Sequence, residues 1–134
     1  MKKKLIALLI IGQLLFAVTQ GGPIKKTPTE SFNVATNFSL VASVDTVTLQ
    51  YIKATDTRTH QDVTSTFVAT APAPGVFTTI TVNGVSQTGM FVVFRLQGGS
   101  SLQQTLVDVV VTDNVTGEVF DAQFLVQVSS GLGG

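Results

Sequence analysis

A segment near the C-terminus, VVVTDNVTGEVF, places three carboxylate or amide side chains and a glycine between two apolar runs. Asp113, Asn114 and Glu118 could bind calcium, which takes about six to eight oxygen ligands. Three ligands in one loop are too few without help from other loops, where the candidates are Asp45, Asp56 and Asp62. Alternatively, the segment is a hairpin turn in which Gly117 supplies a positive φ. We favour the turn and assign no metal-binding residue.

The same loop also matches a glycosylation signal. Asn114-Val115-Thr116 and Asn37-Phe38-Ser39 both fit the Asn-x-Ser/Thr triplet. Such triplets are frequent by chance in a threonine-rich chain, and the MKKK start is typical of bacteria, in which this modification is uncommon. The turn interpretation is therefore favoured over the glycan acceptor as well.

Catalytic groupings are equally sparse in the sequence. The single histidine, His60, could be combined on paper with Asp62 and Ser65, but a loop histidine of this kind is usually solvated. Asp108 and Asp121 could face each other across the last hairpin, and close approach would raise the pKa of one of them. The sequence has no histidine–acid cluster for zinc, no glycine-rich phosphate loop and no nucleophile elbow. It therefore predicts that the protein is not an enzyme, with no catalytic residues and no cofactor.

The composition excludes several further classes of function. Without cysteine, the 134-residue chain has no disulfide, thiolate metal site or cysteine nucleophile. Its formal net charge is zero, so a nucleic-acid partner is not expected. Only 12% of the residues are charged and 44% are hydrophobic, with valine and threonine prominent. Because β-branched side chains suit a pleated sheet, this composition predicts a nearly all-β chain.

The N-terminus has the pattern of an export signal. Residues 2–4 are lysines and residues 5–18 are almost entirely apolar. As a helix this run would span roughly 21 Å, which is shorter than a hydrocarbon core of about 30 Å. Cleavage near Gln20 or Gly22 is therefore favoured over a membrane anchor through residues 1–19. An apolar arm that is buried in an assembly is a further alternative.

The rest of the chain predicts one domain. Residues 1–21 are the signal-like segment, 22–30 a linker or extended arm, 31–128 the domain, and 129–134 a flexible tail. Turn residues separate short strand-like runs at intervals of about 8–12 residues. The predicted strands are 31–36, 38–44, 46–53, 62–69, 76–82, 90–96, 105–112 and 119–128. About seven or eight antiparallel strands of this kind predict an all-β, immunoglobulin-like β-sandwich.

Alternation of apolar and polar residues assigns the inward faces. In the third run, Val47, Leu49 and Tyr51 are predicted to share one face. Asn83-Gly84 joins two β-rich runs and predicts a two-residue type I′ turn, because both positions need a positive φ. The other residues that are predicted to point inward are Met90, Val92, Phe94, Leu96, Val107, Val109, Val111, Phe120, Ala122, Phe124, Val126 and Val128.

A series of motifs covers most of the domain. The turn Leu96-Gln97-Gly98-Gly99 is followed by an apolar strand (106–112), a glycine-containing turn (113–117) and an alternating strand (118–128). In this order the chain resembles the small immunoglobulin-like subunits of tailed-phage virions, of the head-fibre or fibre–tail adaptor type. KTPTES at 26–31 is similar to the P-x-E start of those proteins, and DVTST at 62–66 to their middle segment.

The resemblance implies a non-enzymatic virion subunit that self-associates and docks into neighbouring proteins. It also implies exposed apolar side chains on outward faces, namely Ile52, Phe91, Val93, Val110 and Leu125. The alternative class is an exported bacterial binding module, of cell-surface or pilus-like type. The N-terminal segment distinguishes the two classes, because virion subunits assemble in the cytoplasm. The expected location is the virion in the first case, and the periplasm, cell surface or medium in the second.

Overall fold

The computed structural model describes residues 7–11, 16–18, 23–39 and 46–129. These residues form nine strands and one short helix. The elements are β1 (Ala7–Ile11), β2 (Phe16–Val18), β3 (Ile24–Lys26), β4 (Phe32–Asn37), β5 (Val47–Asp56), α1 (Thr64–Phe67), β6 (Gly75–Val82), β7 (Val85–Leu96), β8 (Gln104–Asp113) and β9 (Val119–Val128). The prediction of an all-β chain is confirmed.

The strands form two sheets. One contains four strands in the order β3-β9-β8-β5, and the other contains β4-β7-β6. The hairpin β1–β2 extends the second sheet along the edge of β4, which gives the order β2-β1-β4-β7-β6. All the pairings are antiparallel except that of β3 with β9. The sheets face each other across a shared hydrophobic core, so the architecture is sandwich-like.

The core is built from the predicted inward faces of three strands. Val107, Val109 and Val111 of β8 are fully buried. The alternating residues of β7 from Met90 to Leu96 are buried as well, as are those of β9 except Phe124, which is partly buried and packs against the same cluster. These strands keep a regular period of two, and the predicted faces are therefore confirmed.

The predicted face of β5 is wrong beyond its first half. A β-bulge shifts the register with β8 between Leu49 and Tyr51. An extra residue in one strand reverses the side to which the following residues point. Ile52 and Ala54 therefore pack on the core, whereas Tyr51 is half-exposed.

The Asn83-Gly84 turn has the predicted geometry. Val82 pairs with Val85, which leaves a two-residue loop between β6 and β7. Asn83 has φ 54° and Gly84 has φ 77°, so both residues are in the left-handed region that a type I′ turn requires.

Two predicted strands differ in the structure. Residues 62–69 were expected to be extended, but they contain α1, in which the backbone N–H groups of Phe67 and Val68 donate to the carbonyls of Val63 and Thr64. In the predicted strand 38–44, Phe38 is a buried residue outside β4 whose N–H donates to the carbonyl of Met90. Residues 40–44 lie outside the described part of the chain.

The N-terminal segments contain strands. β1 and β2 fall within the signal-like residues 1–21, and β3 falls within the predicted arm. Export and cleavage of the first segment stay predictions. Among the described residues, no helix is long and apolar enough to cross a membrane. Of the predicted tail, Ser129 is described, and its N–H donates to the carbonyl of Lys26.

Candidate functional sites

The loop from Asp113 to Glu118 is a turn that its own aspartate stabilises. The Asp113 carboxylate is buried and accepts hydrogen bonds from the N–H groups of Val115 (2.8 Å) and Thr116 (3.1 Å). Gly117 has φ 78° and donates its N–H to the Asp113 carbonyl. Asp113 therefore supplies an Asx-type cap, a role that the sequence reading did not assign to it.

Asn114 anchors this turn to the start of β5. Its side chain donates to the hydroxyl of Thr46 (2.9 Å) and accepts from the hydroxyl of Thr48 (2.7 Å). Its backbone N–H donates to the carbonyl of Thr46. Across the described residues, no group of three or more histidine or acidic side chains is placed to hold a metal ion. The contacts of the loop that the structure does show are those of a packed turn.

We expect Gly117→Val to lower the free energy of unfolding by about 1–3 kcal/mol. A β-branched residue is strained at φ 78°, although a Cβ at this position would meet open space. Urea unfolding of the variant and of the wild-type protein measures the difference. An unchanged denaturation midpoint would show that the turn does not need a positive φ.

The two aspartates of the last hairpin do come together. Asp108 lies opposite Gln123, and Asp121 lies opposite Val110, so the two acids are diagonal neighbours on adjacent strands. Partial burial, a hydrogen bond with Asp121 and its negative charge raise the pKa of Asp108 to about 7, whereas Gln123 and Lys53 act in the opposite direction. The expected pKa rise is thus present, on the face of the four-stranded sheet that points away from the core.

The raised pKa of Asp108 predicts a specific pH dependence. The pKa of Asp108 is 3.8 in the unfolded chain and about 7 in the folded protein, so between these pH values the folded protein binds more protons than the unfolded chain. The stabilising contribution of this group is therefore lost as pH rises through that window. We expect Asp108→Asn to raise the free energy of unfolding by about 1 kcal/mol at pH 8 and by much less at pH 4.5. The effect at pH 8 is modest because solvent screens this partly exposed pair of charges. Urea unfolding at the two pH values measures this, and an equal gain at both would contradict it.

His60 and Asp62 make separate local hydrogen bonds. The Asp62 carboxylate accepts hydrogen bonds from the backbone N–H (2.9 Å) and hydroxyl (2.6 Å) of Thr64, and these bonds lower the pKa of Asp62. Asp62 thereby fixes the start of α1. The side chain of His60 is exposed, and its backbone has a φ of 62°. The backbone N–H of His60 donates to the carbonyl of Asp56. This histidine belongs to a tight turn.

Lys26 is a buried cation that sequence reasoning missed. Its Nζ donates to the carbonyls of Thr27 (2.7 Å) and Gly98 (2.5 Å) and lies 5.7 Å from the centre of the Phe67 ring. Burial lowers the pKa of Lys26, and the charge of Glu30 raises it in part. Lys26 therefore ties β3 to the glycine turn after β7. The available signal was its spacing of two from Ile24, which puts both residues on the inward side of a short strand.

A shallow apolar groove of about 200 Å³ lies beside β5. It is lined by Leu49, Ile52, Thr64, Ser65, Val68, Ala69, Thr70 and Pro74. The end of β5 is covered here by the segment before α1, since Thr55 forms a bridge with Asp62 and the N–H of Val63 donates to the carbonyl of Ala54. The groove is suited to an apolar side chain.

The outward face of the second sheet carries a second hydrophobic cluster. Ala35, Ile80, Val82 and Phe91 form this cluster, and Val93 packs against it; we call these five residues the outer cluster. On β7, Phe91 is 1% exposed between Met90 and Val92, which both belong to the main core. Phe91 and Val93 were expected on this outward face as exposed residues, but their packing with Ala35, Ile80 and Val82 was not predicted.

The structure corrects the expected set of exposed apolar residues. Phe91 and Val110 are buried, and Ile52, Val93 and Leu125 are partly buried. Ile52 packs on the core after the bulge in β5, and Phe91 and Val93 belong to the outer cluster. The large apolar residues that are exposed within the described chain are Tyr51, Phe77, Val85, Leu102, Val115 and Val119.

Comparison with known proteins assigns no class to this arrangement. The chain matches no protein-family model, no curated protein and no solved structure.

Proposed function

We propose that the protein is a non-catalytic structural subunit with an immunoglobulin-like sandwich, of the kind found in virion adaptor proteins, and that it works by self-association. The strand order supports the immunoglobulin-like assignment. Constant-type domains place strands B, E and D in one sheet and C, F and G in the other. In this chain β4, β7 and β6 share one sheet and β5, β8 and β9 the other, in the same chain order.

The observation that carries the proposal is an exposed aromatic residue, Phe77, at the margin of the outer cluster. Met90, Val92 and Phe94 pack into the core between the sheets, and Phe91 packs into the outer cluster. Phe77 lies opposite Phe91 and is 48% exposed, so the outer cluster continues into an exposed aromatic residue. We infer that a second copy covers this side of the sheet.

We expect Phe77→Lys to weaken self-association by about tenfold or more, because large aromatic residues at contacts carry much of the binding energy. Light scattering across a concentration series measures the association constant. Val115→Lys is the matched control, since Val115 is also exposed but lies in the 113–118 turn. Equal weakening by both substitutions would show that the effect is general surface charge and that the outer-cluster side is not the contact.

An exported bacterial binding module is the second candidate function. The basic start and apolar run of residues 1–18 favour export, and the groove beside β5 favours the binding of an apolar side chain from an extended partner. Mass spectrometry of the protein from its native source distinguishes the candidates. An N-terminus near Gln20 or Gly22 supports the exported module, whereas an intact N-terminus supports the virion-type subunit.

A further inference from the structure

The β1–β2 hairpin is attached to the domain along one strand edge. β1 pairs antiparallel with β4, with Leu9 opposite Ala35, and within the described sheet β2 pairs with β1 and is the outermost strand. On its other side β4 pairs with β7. Without the hairpin, β4 would present unpaired backbone groups, which are a template for another extended strand.

The sequence of the hairpin is unusual for the edge of a sheet. β1 reads ALLII and β2 reads FAV, with no charged residue and no proline. Edge strands that face solvent are ordinarily protected by lysine, proline or a bulge. Strands with consecutive apolar residues are typical of sheets that are covered on both faces. This composition indicates a hairpin that is surrounded by protein when the subunit is assembled.

The acceptor strand β4 also contributes to the outer cluster. Ala35 is fully buried and belongs to the outer cluster, and it lies opposite Val93 of β7. The register therefore continues in one row from Leu9 through Ala35 to Val93. A strand that is added at β4 extends the sheet that carries the outer cluster.

A short connection separates the hairpin from the rest of the sandwich. β2 ends at Val18 and β3 begins at Ile24, with the sequence TQGGP between them. β3 belongs to the other sheet, where Ile24 pairs with Val126 of β9. Short connections of this kind favour exchange of the element that they join, because all its pairings are kept when it moves to a neighbouring copy.

We propose that the β1–β2 hairpin of one copy pairs with β4 of a second copy, and that this strand exchange contributes to self-association beside the contact proposed at Phe77. The inference rests on the proposed structural function and identifies its partner as a second copy of this chain. Reciprocal exchange gives a closed two-fold dimer, and head-to-tail exchange gives an open filament.

The absence of cysteine from the chain permits a direct test. Leu9→Cys and Ala35→Cys are made separately in the full chain, and the two variants are refolded together and oxidised. Residues that are directly opposite on antiparallel strands have Cα atoms about 4.5–5.5 Å apart, within the range of a disulfide. The double variant L9C/A35C serves as the reference for the pairing itself, and Leu9→Cys mixed with Val115→Cys is the mismatched control.

Exchange predicts a covalent dimer in the mixture of Leu9→Cys and Ala35→Cys on a non-reducing gel, and no such dimer in the mismatched control. With random pairing of the copies, roughly half of the protein should be cross-linked.

If the double variant closes within a single chain and the mixture gives no dimer, the hairpin stays on its own domain and the exchange proposal is wrong. The lack of any disulfide in both samples overturns it too, because the β1–β4 pairing is then missing. Light scattering of the wild-type protein separates the two proposals: an oligomer without the cross-copy disulfide refutes exchange alone, and a monomer refutes self-association as well.

Discussion

Replacing Gly98 with alanine is expected to lower the free energy of unfolding by about 2–4 kcal/mol. Gly98 has φ 61°, and a Cβ at this position would lie 2.6 Å from the backbone carbonyl oxygen of Thr66. The strain of a left-handed residue is therefore added to a contact with backbone that has little freedom to move. The carbonyl of Gly98 also accepts the hydrogen bond from the buried Lys26 ammonium, so a displaced turn weakens the anchor of β3.

Gly117→Ala is the matched control for this prediction. Gly117 has a similar positive φ of 78°, but a Cβ there meets nothing within 4 Å. Its cost is expected to be only about 1 kcal/mol. Urea unfolding of both variants at one fixed protomer concentration compares them, since association would otherwise contribute to the apparent stability. Equal midpoints would mean that the contact with Thr66 is relieved without cost.

Phe67→Ala is expected to destabilise the protein by about 3–5 kcal/mol, which is the usual cost of deleting a large aromatic side chain from a core. Phe67 is the buried residue of α1 and belongs to the main core. Its ring lies beneath the Lys26 ammonium and close to Gly99, where an added Cβ would be 3.0 Å from the ring. The substitution therefore removes packing from the helix, from β3 and from the glycine turn together.

The comparison for Phe67→Ala is Phe77→Ala, which removes the same side chain from a half-exposed position. That variant is expected to lose less than about 1 kcal/mol when the protein is dilute. Thermal or urea unfolding at low protomer concentration provides both values. If Phe67→Ala loses no more free energy of unfolding than Phe77→Ala, the packing of α1 on the core does not contribute to stability as expected.

The features that could be predicted from the sequence are those that local chemistry determines. The Asn83-Gly84 turn follows from the need for two positive φ values, and the inward faces of β8 and β9 follow from strict alternation. The proximity of Asp108 and Asp121 follows from pairing the last two strands. Each of these depends on neighbouring residues, or on one hairpin.

The features that were missed depend on contacts between distant segments. The bulge in β5 reverses the faces to which Tyr51 and Ile52 point. It arises in the pairing of β5 with β8, and no turn residue in β5 indicates its position. Lys26 reads as part of a polar arm, yet it is buried by contacts with Phe67 and Gly98, which are distant in the sequence. The outer cluster combines Ala35 with residues of β6 and β7. Periodicity within one strand does not contain this information.

The candidate site shows the same division. The turn from Asp113 to Glu118 was expected from Gly117, but the buried carboxylate of Asp113 and the contacts of Asn114 with Thr46 and Thr48 require the fold. Polar side chains that could have formed a calcium loop are used to cap and anchor a turn. The outer cluster, in contrast, lies outside the core between the sheets, and the exposed Phe77 at its margin supports the proposed structural role.

The molar mass of the full-length protein in solution, measured by light scattering over a range of concentrations, tests the central claim most directly. A subunit that self-associates is expected to have a mass of at least twice 14.1 kDa at high concentration and to dissociate on dilution. A constant mass of one chain at every concentration would contradict the proposed function.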